Sequence, residues 1–199
     1  MKALLLAGGR GTRLIPVSNT MAKHLIPVAS KPIIFYALDQ IERVGIKQVG
    51  IVVSPETGTS IKQAVGDGLR WNAEITYILQ NKPMGIAHAV RLSREYIGDS
   101  PFLTYLGDNI IQEDIGWFID NFKANNPDAL VLLKEVDNPS AFGVAEIDSH
   151  GDIKYVIEKP ELYHSNMALV GIYVFNSEIF RATDEIKPSH RGGAGNNRC

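Results

Sequence analysis

The chain has 199 residues, of which 45% are hydrophobic and 21% charged, with a net charge of −2 and one cysteine. That is enough apolar sequence for one buried core, and one domain is the default expectation. Charges dispersed along the chain and nearly balanced exclude the electrostatic footprint of a nucleic-acid or anionic-membrane binder, and Cys199 has no partner for an intrachain disulfide or a cysteine metal cluster.

The N-terminus opens into an apolar run, Ala3 to Leu6, within a buried strand expected over 2–6 and too short to be a helix. Gly8, Gly9 and Gly11 follow at once, with Arg10, Arg13 and Lys23 bringing positive charge to the same stretch. A strand, a glycine turn whose amides can approach a ligand, and clustered cations make an anion site, best suited to a polyphosphate. A dinucleotide-binding loop is the nearest rival. Its third glycine is replaced here by Leu14, and no Gly-Lys-Ser or Gly-Lys-Thr closes a P-loop.

Further along, helices are expected over 32–44, 57–65, 86–97, 115–125 and 177–183, and strands over 49–53, 74–79, 102–106, 129–134, 143–147, 153–158 and 169–175. Alternation of this kind predicts an α/β fold, a mainly parallel central sheet with helices on both faces. Asp108 ends the strand over 102–106, where a carboxylate suits a Mg²⁺ shared with phosphate oxygens, although Gly-Asp-Asn is also a common turn. Gln80 ends another strand, and a side-chain amide there can read a pyrimidine edge or simply sit in a loop. His88 reads as a first-turn helix residue rather than a catalytic base. Glu158 can accept hydrogen bonds from sugar hydroxyls and Lys159 can pair with a sugar phosphate, or the two can cap a surface strand. With no leader pattern and no apolar run of membrane-spanning length, the cytoplasm is the expected compartment, with no membrane partner.

The stretch Leu-Ala-Gly-Gly-x-Gly-Thr-Arg-Leu-x-Pro from Leu6 to Pro16, then Lys-x-Leu-x-Pro-Val-x-x-Lys-Pro from Lys23 to Pro32, resembles the signature of the sugar-phosphate nucleotidylyltransferases, closest to their long thymidylyl-transferring branch. Ile15, Val17 and Ala22 depart from the usual pattern without removing a charge. The resemblance implies a Rossmann-like nucleotidyltransferase fold and Mg²⁺-dependent transfer from dTTP, or UTP, to glucose-1-phosphate, releasing pyrophosphate. It implies nucleotide contacts at Leu6, Ala7, Gly8, Gly9, Gly11, Thr12, Arg13, Gln80 and Gly85, and sugar-phosphate contacts at Leu106, Gly143, Glu158, Lys159 and Val170. Catalytic roles fall to Arg13 on the departing pyrophosphate, Lys23 on the α-phosphate and Asp108 on the metal. Full-length members oligomerise.

The likeness runs over 1–192, read as the catalytic domain, and stops there. Where the family continues Glu-Leu-Glu-Ile-Thr-Asp-Ala, this chain reads Gly193-Ala194-Gly195-Asn196-Asn197-Arg198-Cys199. One G inserted ahead of GAG CTG GAA ATA ACA GAT GC yields GGA GCT GGA AAT AAC AGA TGC, which encodes that tail. The expectation is a frameshift, testable by resequencing the coding DNA. With it go a second metal-binding aspartate and a sugar-contacting threonine, which leaves a catalytically inactive nucleotide-binding remnant as the alternative reading.

Overall fold

A computed structural model describes residues 1–9, 21–82, 84–162 and 164–185. Gly11, Thr12 and Arg13 of the expected site, and the tail over 193–199, lie outside them. Strand β1 (Lys2–Leu6) forms as expected, and Ala3 to Leu5 are wholly buried. A 3₁₀ turn, Lys23–Leu25, precedes a short hairpin, β2 (Pro27–Val28) and β3 (Lys31–Pro32), which feeds helix α1 (Ile33–Arg43). Then follow β4 (Gln48–Val53), α2 (Gly58–Val65), β5 (Glu74–Leu79), α3 (Ile86–Leu92), α4 (Arg94–Ile97), β6 (Phe102–Leu106) and α5 (Gly116–Asn125). The remaining elements are β7 (Ala129–Glu135), β8 (Gly143–Ile147), β9 (Ile153–Glu158), β10 (Met167–Phe175) and α6 (Ile179–Glu185).

The central sheet runs β5-β4-β1-β6-β10-β8-β9, with β7 also on β10. The first four strands are mutually parallel, and β10 is antiparallel to β6, β7 and β8. Alternate residues of each strand feed opposite cores, since successive side chains point to opposite faces. Leu5, Ile51, Leu103 and Tyr105 pack with α1, α2 and α5, while Leu4, Leu6, Val52 and Phe102 pack with α3, α4 and α6. In the second core the Phe102 ring lies 5.8 Å from both Phe175 and Phe180.

Two differences from the sequence expectation have local causes. The helix expected over 86–97 breaks at Ser93, whose Oγ–H donates back to Ala89 O at 2.8 Å, an alternative to continuing the ladder. The strand expected over 169–175 begins at Met167 and is irregular between Leu169 and Tyr173. There β10 keeps β7 along one edge while its other edge changes partner, from β8 at Ala168 to β6 at Ile172. Gly171, at φ +84°, makes that change of direction possible.

Candidate active site

β1, β4, β5 and β6 end at one rim because they run in step. Leu6 lies beside Val52 and Leu106, and Val53 beside Leu79. From β1 the chain winds outward to β4 and β5, whereas β6 lies on the other flank, so the switch in winding falls between β1 and β6. Ligands of open α/β sheets bind at such a crevice. Backbone bonds carry the ladders past the strand ends: the Ala7 N–H donates to Val52 O and the Gln80 N–H to Val53 O, both at 2.8 Å, and the Gly107 N–H to Leu6 O at 2.9 Å.

What stands against Gly8 and Gly9 explains why they are glycines. A Cβ on Gly9 would lie 3.0 Å from Lys23 Cε, and one on Gly8 would lie 3.1 Å from Gln80 Oε1. Lys23, carried by the 3₁₀ turn, and Gln80, at the end of β5, therefore close on the turn from two sides. Lys23 Nζ also donates to Asp108 Oδ2 at 2.5 Å. Lys23 thus touches Gly9 and the Asp108 carboxylate at once.

Burial alone would raise the Asp108 carboxyl, but the hydrogen bond and charge of Lys23, aided by His24, hold it below the usual carboxylate range. It is thus ionised at neutral pH. Among the described residues no group of three or more His, Cys, Asp or Glu side chains is placed to hold a metal. An ionised carboxylate outside any such group suits a Mg²⁺ carried in on phosphate oxygens with part of its water shell, not one caged by protein.

His24 was not singled out in the sequence. It is 1% exposed, its Nδ1 has no hydrogen-bond partner among the described residues, and its Cδ2 would lie 3.3 Å from a Cβ on Gly107. Burial, then the Lys23 charge, outweigh Asp108 and bring its pKa from 6.5 to about 4. The unfolded chain therefore binds the proton first as pH falls. Stability is expected to decline below pH 6.5 and to level off below about 4 on this account. Denaturant unfolding across that window, wild type against His24→Gln, checks it: the variant should show the flatter profile, and identical profiles would exclude His24 as the source.

The expected sugar-phosphate residues fall into two joined groups. Gly143 and Glu158 are register partners, and a Cβ on Gly143 would lie 3.0 Å from Glu158 Oε2. Lys159 follows with φ +50°, its N–H donating to Phe142 O at 2.9 Å. At the rim itself, the Asn109 side-chain amide donates to Val170 O and so ties the loop after β6 to β10. Leu106 packs at Gly171 beside it. β10 links the two groups, since Ala168 pairs with Val144 of β8.

Gln80, in the loop just after β5, is buried rather than exposed, at 6% exposure. Its Nε2 donates to Gly85 O at 3.3 Å and is 2.9 Å from His88 Nδ1. His88 is thus part of the wall around Gln80, a role its place in a first helical turn did not suggest. An apolar cavity of about 520 Å³, lined by Ile86, Val90, Val131, Leu169, Tyr173 and Ile179 among others, contains none of these expected site residues.

Comparison with known proteins shows the family and the fold. A family model described as nucleotidyl transferase matches residues 2–195. A glucose-1-phosphate thymidylyltransferase of Streptomyces griseus is 47% identical over 192 residues, 96% of this chain and 54% of that protein. A low-salt glycan biosynthesis nucleotidyltransferase of Haloferax volcanii is 40% identical over 192 residues, with the same shares covered. The chain thus spans about half the length of these curated relatives, 54% in each case. Among solved structures, a Bacillus anthracis protein described as a glucose-1-phosphate thymidylyltransferase, in complex with a sucrose, superposes with a TM-score of 0.90 at 36% identity, covering 96% of this chain and 78% of that one. A UDP-glucose pyrophosphorylase complexed with UDP-glucose superposes with a TM-score of 0.84 at 25% identity, covering 97% and 82%. With a glycine turn, a cation and a carboxylate converging at the switch point of the sheet, and with a family model matching nearly its whole length, the chain belongs to the nucleotidyl transferase family.

Proposed function

We propose that this chain transfers a thymidylyl group from dTTP to glucose-1-phosphate, with Mg²⁺, giving dTDP-glucose and pyrophosphate. The observation that carries the reading is the Lys23–Asp108 pair at 2.5 Å beside the Gly8–Gly9 turn. The relatives that bear the thymidylyltransferase name support the choice of substrates. Arg13, with Gly11 and Thr12, is assigned to the triphosphate on the sequence alone.

The acceptor is already an oxyanion, so the reaction needs no protein nucleophile. It needs alignment and neutralisation of developing charge. The Gly8 and Gly9 backbone lets the triphosphate lie close to the rim. Lys23 shifts its ammonium from Asp108 to the α-phosphate and steadies the charge gained there in an in-line displacement. Asp108, so released, is the carboxylate that would hold Mg²⁺, which would supply neutralisation of the charge gained by the leaving pyrophosphate. Gln80 and Gly85 hold the base, while Glu158 and Lys159 hold the sugar hydroxyls and phosphate.

The test is pyrophosphate release from the purified chain with Mg²⁺, glucose-1-phosphate and either dTTP or UTP. Release is expected with dTTP, and Asp108→Asn is expected to slow it about 100-fold, the scale for losing one group that acts on transition-state charge. Faster release with UTP would reassign the donor to a uridylyl group, in line with the likeness to UDP-glucose pyrophosphorylase. A nucleotide-induced rise in melting temperature without pyrophosphate would show a pocket that binds and does not turn over.

A further inference from the structure

We propose that His88 is a positioning residue that sets the base preference of the pocket, by fixing which atom of the Gln80 amide faces the glycine turn. The inference rests on the reading of Gln80 as a base contact. The Gly85 carbonyl can only accept a hydrogen bond, so the Gln80 atom 3.3 Å from it must be Nε2. That same nitrogen is 2.9 Å from His88 Nδ1, and an amide N–H can only donate. His88 Nδ1 is therefore the acceptor, and the imidazole is neutral with its proton on Nε2. Burial, then the charge of Arg91, lower the His88 pKa from its usual value of 6.5 and favour that neutral form.

With both Nε2 hydrogens directed at Gly85 and His88, Oε1 is turned the other way. It lies against Gly8, 3.1 Å from where a Cβ would be, and among the described residues no protein donor reaches it. The pocket thus presents an acceptor at the rim. Thymine and uracil offer an imide N3–H to such an atom, whereas N3 of cytosine is itself an acceptor and would meet it lone pair to lone pair. A donor-only side chain at position 88 would favour Oε1 at the end of the amide where the Gly85 carbonyl favours Nε2, so Gln80 would no longer be held in one orientation toward the base. Discrimination built on a buried hydrogen-bonding group of this kind is large, since the wrong partner leaves polar atoms unpaired.

The experiment is titration calorimetry of dTTP and CTP against wild type, His88→Lys, His88→Gln and Gln80→Ala. This readout does not depend on turnover. Wild type should favour dTTP. His88→Lys should cut the ratio of dissociation constants at least 10-fold, and His88→Gln, whose carboxamide oxygen can accept in place of Nδ1, should keep most of it. A ratio unchanged in His88→Lys, or one lost equally in His88→Gln, overturns the proposal while a ratio that collapses in Gln80→Ala keeps the base reading. No discrimination in wild type, or a ratio unaltered in Gln80→Ala, overturns the base reading and the His88 proposal with it.

Discussion

Lys23→Ala is expected to lower the rate of pyrophosphate release about 10³-fold, the scale seen when a group aimed at transition-state charge is removed from a preorganised site. The side chain is 17% exposed, its stem lies over Gly9, and its only charged partner among the described residues is Asp108. Little of the fold depends on it. Partly exposed ion pairs contribute at most about 1 kcal/mol, so the melting temperature should move by no more than a few degrees. The loss should appear equally in kcat and kcat/KM, the pattern of an interaction made in the transition state rather than in substrate binding. A second effect follows from the balance of terms on Asp108. With Lys23 gone, the burial that raises its pKa is opposed mainly by His24 and the backbone, so the carboxyl should titrate at higher pH than in the wild type. Turnover within a few-fold of wild type would remove Lys23 from the mechanism, and a large drop in melting temperature would recast it as a structural cation.

The parts of this site that were legible in the sequence are those whose signal is local. An apolar run ending in Gly8-Gly9, a carboxylate following the strand over 102–106, and a lysine flanked by a stiff Pro-Val segment each declare themselves within a few residues. What could not be read depends on contacts made across the chain. Asn109 finds its acceptor at Val170, 61 residues on, and nothing in Gly-Asp-Asn announces a partner. Gln80 looks like a loop amide until β4 and β5 pair and bury it. His88 follows the same logic, being ordinary in its helix and informative only once Gln80 is beside it. The β2–β3 hairpin defeats propensity in another way. Its turn, Ala29-Ser30, has positive φ at both residues, 47° and 65°, where glycine or asparagine is the usual choice. The helix break at Ser93 belongs with these, because a serine in a helical pattern can face solvent or bond back to the preceding turn, and only the surroundings decide.

Gly171→Ala is expected to destabilise the protein by about 3 kcal/mol, through strain and overlap together. A φ of +84° costs an alanine about 1–2 kcal/mol. Its Cβ would also stand 2.5 Å from Leu106 Cδ1 and 2.7 Å from Asn109 Nδ2, and overpacking of that degree costs about 1–3 kcal/mol. For a chain of 199 residues the sum corresponds to a fall in melting temperature of roughly 10 °C. The position gives the substitution a second consequence. Gly171 sits where β10 exchanges β8 for β6, and the two side chains it would displace flank Asp108 in sequence, Leu106 before it and Asn109 after. Relief of the overlap displaces these two side chains and with them the Asn109 tie that holds the loop carrying the carboxylate to β10. Turnover should fall along with stability when measured well below the melting transition, and the apparent Mg²⁺ requirement should rise, because the displaced group is the one assigned to the metal. A variant that melts with wild type would show that the irregular stretch of β10 opens without resistance. One that is destabilised yet retains full turnover would show that the Asp108 loop is held by β6 and Lys23 rather than by its tie to β10.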